Sequence, residues 1–155
     1  MDAERVRGAL LKLPLVVETM QWGDNLVYWV GDKAVGGKMF ALVNLDQAGH
    51  GSGPALVMSF WVGPERFAEL VERESVVPAP YMARIYWIAL EGWNALPSGE
   101  LISLLKDARE ATYQKLPQRT KDVLALPSKD LSNLVAERRK LLAVKTKGKG
   151  SQRAG

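Results

Sequence analysis

The sequence predicts an α+β fold: an antiparallel sheet of about four to five strands with helices packed on one face, then a C-terminal helix and a disordered basic tail. Three observations predict it. Segments with helical apolar spacing bracket a run of Val-, Leu- and aromatic-rich segments, short Gly- and Asn-containing turns separate those segments, and the chain closes on a stretch of cations without acids.

Each element has its own signal. Asp2 is placed to cap a first helix whose Val6, Leu10 and Leu13 recur at helical spacing, and Pro14 stops it. Leu15 to Thr19, Leu26 to Gly31, Lys38 to Asp46 and Ala55 to Val62 then read as strands of a meander. Pro64 suits the first turn of a second helix, with Phe67, Leu70 and Val71 inward and Glu65, Glu69 and Glu72 outward. Residues from Val76 to Met82 read as a Pro-punctuated loop, and Arg84 to Glu91 as a further strand. Ser98 opens a third helix with Leu101, Leu104, Leu105, Ala108 and Leu116 on one side, ended by Pro117. Ser128 opens the last pattern, with Leu131, Leu134, Val135, Leu141 and Leu142, and from Lys145 onward apolar periodicity is absent. The expected organisation is a body over 1–117, an extension with an amphipathic helix over 118–144, and a disordered basic tail over 145–155.

The chain of 155 residues is 47% hydrophobic and 25% charged, ordinary values for one globular domain. Its net charge of +4 is unevenly placed. Residues 1–137 hold 14 Lys/Arg against 17 Asp/Glu, whereas residues 138–155 hold Arg138, Arg139, Lys140, Lys145, Lys147, Lys149 and Arg153 with no acid. Attraction for a polyanion is thus concentrated at one end. The absence of Cys rules out disulfides and thiolate chemistry and fits a reducing compartment. An N-terminus with early acids, and no apolar run near the ~20 residues of a membrane span, lead us to expect a cytoplasmic protein without a membrane partner.

The strands carry a further expectation. A meander covered by helices on one face alternates toward polar residues on the other. Here Leu26, Tyr28 and Val30 alternate with Val27 and Trp29, Phe40 and Leu42 with Met39, Ala41 and Val43, and Phe60 with Trp61. Both faces therefore need cover. The C-terminal helix is the first candidate, a homodimer the second and a ligand the third.

Catalytic patterns fail on chemistry. The single histidine, His50, is expected at the tip of the Gly-rich loop Gly49 to Gly53, too mobile there to be held by an orienting carboxylate, and reads as a solvated loop residue. Gly31-Asp32-Lys33-Ala34-Val35-Gly36-Gly37-Lys38-Met39 approaches a phosphate loop. Its spacing is off by one, Met39 stands where a Mg²⁺-binding hydroxyl is needed, and a strand follows where the phosphate site needs a helix; a hairpin connection fits better. The Glu65, Glu69 and Glu72 stripe reads as a solvated helix face. Neither a metal nor another cofactor is expected. Of the five tryptophans, Trp22, Trp61 and Trp87 are expected in the core, while Trp29 and Trp93 are candidates for contact with a partner.

Several short strings resemble the MmcQ/YjbR family of small bacterial proteins, often labelled DNA-binding. Glu18-Thr19 followed by Trp22-Gly23 resembles its Glu-Thr-x-x-aromatic-Gly segment, and Gly37-Lys38-Met39-Phe40-Ala41 its Gly-Lys-x-Phe-Ala strand. Pro80-Tyr81-Met82 with Trp87-Ile88 is similar to its Pro-x-Tyr and Trp-Val/Ile pair, and Lys115-Leu116-Pro117 to its closing Lys-Leu-Pro. The resemblance spans Met1 to Pro117 and implies a secretion-chaperone-like or frataxin-like fold with helices on one side of an antiparallel sheet. Two departures concern polar surface: Met82 to Tyr86 replace a polar or basic run, and Ala108-Arg109 replace a Ser-Tyr pair.

Two functions follow as expectations. In the first the protein binds DNA or RNA without being an enzyme, using Lys33, Lys38 and Arg84 with Arg138, Arg139, Lys140, Lys145, Lys147, Lys149 and Arg153 against phosphates. In the second it is a protein-interaction or chaperone-like module docking through the second apolar face, with Trp29 and Trp93 among the contacts. Calorimetry of the purified protein is expected to find no stoichiometric site for zinc or a nucleoside triphosphate in the micromolar range.

Overall fold

The computed structural model describes residues 1–45 and 55–154, with side chains described as far as Val144. His50 lies outside these residues. The elements in order are α1 (Ala3–Leu11), β1 (Val16–Gln21), β2 (Asn25–Val30), a 3-10 turn (Lys33–Val35), β3 (Lys38–Asn44), β4 (Met58–Trp61), α2 (Pro64–Leu70), β5 (Val76–Pro78), a second 3-10 turn (Ala83–Ile85), β6 (Trp87–Leu90), α3 (Ser98–Gln114), α4 (Gln118–Leu124) and α5 (Ser128–Ala154). The strands pair antiparallel in the order β1-β2-β3-β4-β6-β5.

Asp2 caps α1 as its position implies, accepting a hydrogen bond from the Arg5 amide at 2.8 Å. Two rows of side chains face the helices: Tyr28, Ala41, Phe60 and Ile88, then Leu26, Val43, Met58 and Leu90. All eight are buried. α3 lies across them through Leu101, Leu104, Leu105 and Ala108, and α1 adds Val6 and Leu10. Each large apolar side chain so buried stabilises the fold by about 1.5–3 kcal/mol.

Some expected elements differ. Val76–Pro78, read as loop, is an edge strand, a position that tolerates Pro78 because an edge leaves N–H positions outside the ladder. Ahead of β6 the chain makes the second 3-10 turn and passes through Tyr86 at φ +65, so strand pairing starts at Trp87 rather than Arg84. α4 follows Pro117 directly; Pro117 ends α3 and its extended backbone opens the next helix, which buries Thr120 and Leu124 one turn apart. α5 continues to Ala154, past the expected end at Val144, because extending a formed helix adds a hydrogen bond per residue without a new nucleation cost. Trp22, expected in the core, is 63% exposed in the β1–β2 turn.

α5 does not cover the second face. Its Leu131, Leu134 and Val135 join the helix-side core, and Leu141 and Leu142 are 54% and 48% exposed. α4 is the cause, since it turns the chain toward the first 3-10 turn before α5 begins. The second face buries Trp87, Ala89 and Ala79, with Met39, Leu42, Leu56, Trp61, Val77 and Met82 half-buried around them.

One polar network ties α1 to the sheet. The Tyr28 hydroxyl donates to Glu18 at 2.8 Å, and the Arg7 guanidinium grips the same carboxylate through two hydrogen bonds of 2.7 and 3.0 Å. The Arg7 bonds, helped by the Tyr28 hydroxyl, hold the Glu18 pKa below the usual carboxylate range against the opposing effect of partial burial. Burial first, then the bond to Glu18, pushes the phenol above its ordinary value. Because the folded pKa of Glu18 is depressed, its contribution is complete above the unfolded value of about 4.3 and is lost as pH falls through the folded value. Tyr28→Phe is expected to destabilise by about 1–3 kcal/mol at neutral pH in urea unfolding. The gap to the parent protein should shrink below about pH 4 as Glu18 protonates.

Candidate functional site

The connection from β2 to β3 is folded onto itself. The Gly37 amide donates to the Asp32 carbonyl at 2.9 Å, and the Gly36 amide to the Lys33 carbonyl at 3.1 Å. Backbone lies against backbone here: a Cβ on Gly37 would stand 1.9 Å from the Gly31 carbonyl oxygen. Gly36 has φ +93 and supports α4 directly, since a Cβ there would meet the Thr120 hydroxyl at 2.7 Å. The tight turn therefore forms the seat of α4.

α5 is fastened to the same turn by charge. Asp32 is 8% exposed, and one carboxylate oxygen accepts from the Ala34 amide at 2.9 Å while the other accepts from Arg139. A buried carboxylate needs such partners. On one side of α5 is a cleft of about 260 Å³ lined by Ala34, Val35, Gly36, Arg119, Thr120, Val123, Leu134 and Arg138. On its other side a more apolar groove of about 430 Å³ runs past Leu15, Val17, Leu124, Leu131, Val135 and Ala136.

Strand register gathers the cations proposed from sequence. Val30 pairs with Lys38, Trp61 with Trp87, and Pro78 with Ile88, so the end of β2, the start of β3, the end of β4 and the start of β6 lie at one end of the sheet. Lys33, Lys38 and Arg84 all belong to this end and all are exposed. Glu65, just beyond β4, shares it. Arg138, Arg139 and Lys140 are exposed on α5, whereas the side chains of Lys145, Lys147, Lys149 and Arg153 lie outside the described residues.

Of the two tryptophans proposed as partner contacts, Trp29 is engaged within the fold and Trp93 keeps part of its surface exposed. Trp29 is 7% exposed on the second sheet face, its indole N–H donates to the Thr19 hydroxyl at 2.8 Å, and the Lys33 ammonium stands 5.8 Å from its ring centroid. Trp93 is half-buried against the helix-side core. Two further cations escaped the sequence reading. Lys115 lies 4.3 Å over the Trp61 ring, and Arg119 lines the same cleft as Arg138. A charge count begun at Lys115 would have found them, because residues 115–153 hold 11 Lys/Arg against 3 Asp/Glu and residues 1–114 hold 10 against 14. Among the described residues no group of three or more His, Cys, Asp or Glu side chains gathers to hold a metal ion.

The YjbR family model matches residues 11–111, from the last turn of α1 into α3. The crystal structure of a Deinococcus radiodurans protein carrying the DUF419 domain is similar with a TM-score of 0.66 at 26% identity, over 80% of this chain and 88% of that one. No curated protein matches. Lys33, Lys38 and Arg84 fall inside the matched span; α4 and α5 fall outside it.

Gly37→Ala is expected to destabilise the protein strongly and to raise hydrogen exchange at Leu131 to Val135 as α5 loses its seat. Gly8, whose Cβ would meet nothing within 4 Å, supplies the control. Gly8→Ala within α1 should stabilise by about 0.5–1 kcal/mol in the same unfolding measurement.

Proposed function

The chain belongs to the YjbR family, and from that premise we propose that it is a non-enzymatic nucleic-acid-binding protein, with DNA as its first candidate partner. Contact would run from the sheet end carrying Lys33, Lys38 and Arg84 onto the cation-rich helices α4 and α5. The observation that carries the reading is the division of charge: a body of acidic balance is joined to residues 115–153, where 11 cations meet 3 acids. Phosphate contacts dominate sequence-independent nucleic-acid affinity, and a helix lined with Lys and Arg tracks a phosphate backbone without reading bases. α5 spans 27 residues, roughly 40 Å of helix at 1.5 Å per residue, long enough to follow about one turn of duplex.

A second reading, a protein partner docked on the second sheet face, draws on the half-buried Met39, Leu42, Trp61, Val77 and Met82. Its weight is less, because burial of Trp29 and the use of its indole N–H by Thr19 remove the aromatic anchor such a surface would favour.

A salt-titrated binding assay of the full chain against duplex DNA, single-stranded DNA and RNA tests the first reading. Replacing Lys145, Lys147, Lys149 and Arg153 with Gln is expected to weaken binding to every sequence alike and to flatten the slope of log K against log salt, by about 0.9 for each duplex phosphate that is no longer neutralised. Lys38→Gln combined with Arg84→Gln should flatten it by up to about two units. Absence of salt-dependent affinity for all three nucleic acids would overturn the reading.

A further inference from the structure

We infer that the cleft between α4 and α5 is a phosphate-binding site, built from the guanidinium groups of Arg119 and Arg138 over the Gly36 turn, and that the phosphate it takes belongs to a polynucleotide backbone. This deepens the nucleic-acid reading and rests on it. Arg119 and Arg138 line one cleft of about 260 Å³ together with Thr120, the buried α4 residue that rests against Gly36. Arg7, Arg66, Arg73, Arg109 and Arg139 each hold a carboxylate: Glu18, Asp107, Glu100, Glu110 and Asp32 respectively. Arg119 and Arg138 have no such partner among the described residues. Two like charges brought to one concavity repel each other, and an anion between them reverses the sign of that interaction.

The chemistry of the cleft specifies how the anion is held. The amides from Ala34 to Gly37 are already committed: Ala34 to the Asp32 carboxylate, Val35 and Gly37 to the Asp32 carbonyl, and Gly36 to the Lys33 carbonyl. These successive N–H groups therefore form no nest to cradle a polyphosphate, and recognition falls to side chains. Guanidinium forks suit the paired oxygens of a phosphate and form charge-assisted hydrogen bonds with them. Arg139 is the neighbour that does not take part. Its pairing with Asp32 cancels the one carboxylate at the turn and ties α5 to that turn, next to the cleft that Arg119 and Arg138 line.

The test uses the full ¹⁵N-labelled chain and two probes. Inorganic phosphate, titrated to tens of millimolar at constant ionic strength, is expected to shift the amides of Gly36, Thr120 and Leu134 along a saturating curve. Arg119→Gln with Arg138→Gln should abolish that curve, and both residues are exposed, so the fold is expected to survive. Arg119→Lys with Arg138→Lys keeps the charge and loses the forks, and should weaken saturation several-fold; it supplies the measurement if the Gln pair does not fold. Against a duplex oligonucleotide the Gln pair should flatten the salt slope by about one to two units, while the chain with Lys145, Lys147, Lys149 and Arg153 replaced by Gln keeps the phosphate response intact. Saturation by phosphate with no affinity for any oligonucleotide would leave the anion site standing and overturn its polynucleotide source. Linear shifts, or saturation that persists in the Gln pair, would overturn the site itself.

Discussion

The approach of the Gly37 backbone to the Gly31 carbonyl is the constraint from which the C-terminal architecture follows. Only a residue without a Cβ closes that turn, since the added atom would stand 1.9 Å from an oxygen. Closing it brings Asp32, Ala34 and Gly36 into one compact ledge at the end of β2. Thr120 and Leu124 of α4 sit on this ledge, Arg139 of α5 is tied to it through Asp32, and residues of both helices line the cleft beside it. A short segment from Gly31 to Gly37, glycine at both ends and again at Gly36, thereby decides where the most cationic part of the chain is held. Helix packing onto a sheet face spreads its energy over many contacts, whereas this contact is all-or-none.

The main elements were legible because their periods are strong. α1, α2 and α3 announce themselves by spacing and by Asp2, Pro64 and Ser98, and the meander by alternation broken at Gly- and Asn-containing turns. What was illegible is short. β5 has three residues, too few for alternation to register, and two prolines nearby read naturally as loop. α4 is seven residues of mixed polarity whose one buried apolar side chain is Leu124, and its helical identity comes from the ledge beneath it rather than from propensity. Missing α4 had a further effect, because without that turn of chain α5 was expected across the second face.

The candidate site was legible in part, and for different reasons at each residue. Lys33, Lys38 and Arg84 were chosen as cations near strand ends, but only the register shows that the β2–β3 and β5–β6 connections carrying them meet at one end of the sheet. Arg119 is one charge in a short segment with Asp122 nearby, and nothing in the local sequence pairs it with Arg138. Trp29 looked available because both faces of β2 are apolar; the bond from its indole to Thr19 on the neighbouring strand could not be read from either residue alone.

The two margins of the sheet are unlike, and this gives the molecule a direction. β5 offers three residues and ends at Pro78, a residue with no amide hydrogen, so the ladder cannot be continued there by more than a stub. β1 offers six residues, Val16 to Gln21, all of ordinary hydrogen-bonding capacity. Lateral growth of the sheet, whether by a peptide laid alongside it or by stacking of chains during misfolding, is therefore blunted on the β5 side, while on the β1 side α5 shares a groove with Leu15, Val16 and Val17. A continuous ribbon needs two competent margins per molecule, and the β5 margin is not one.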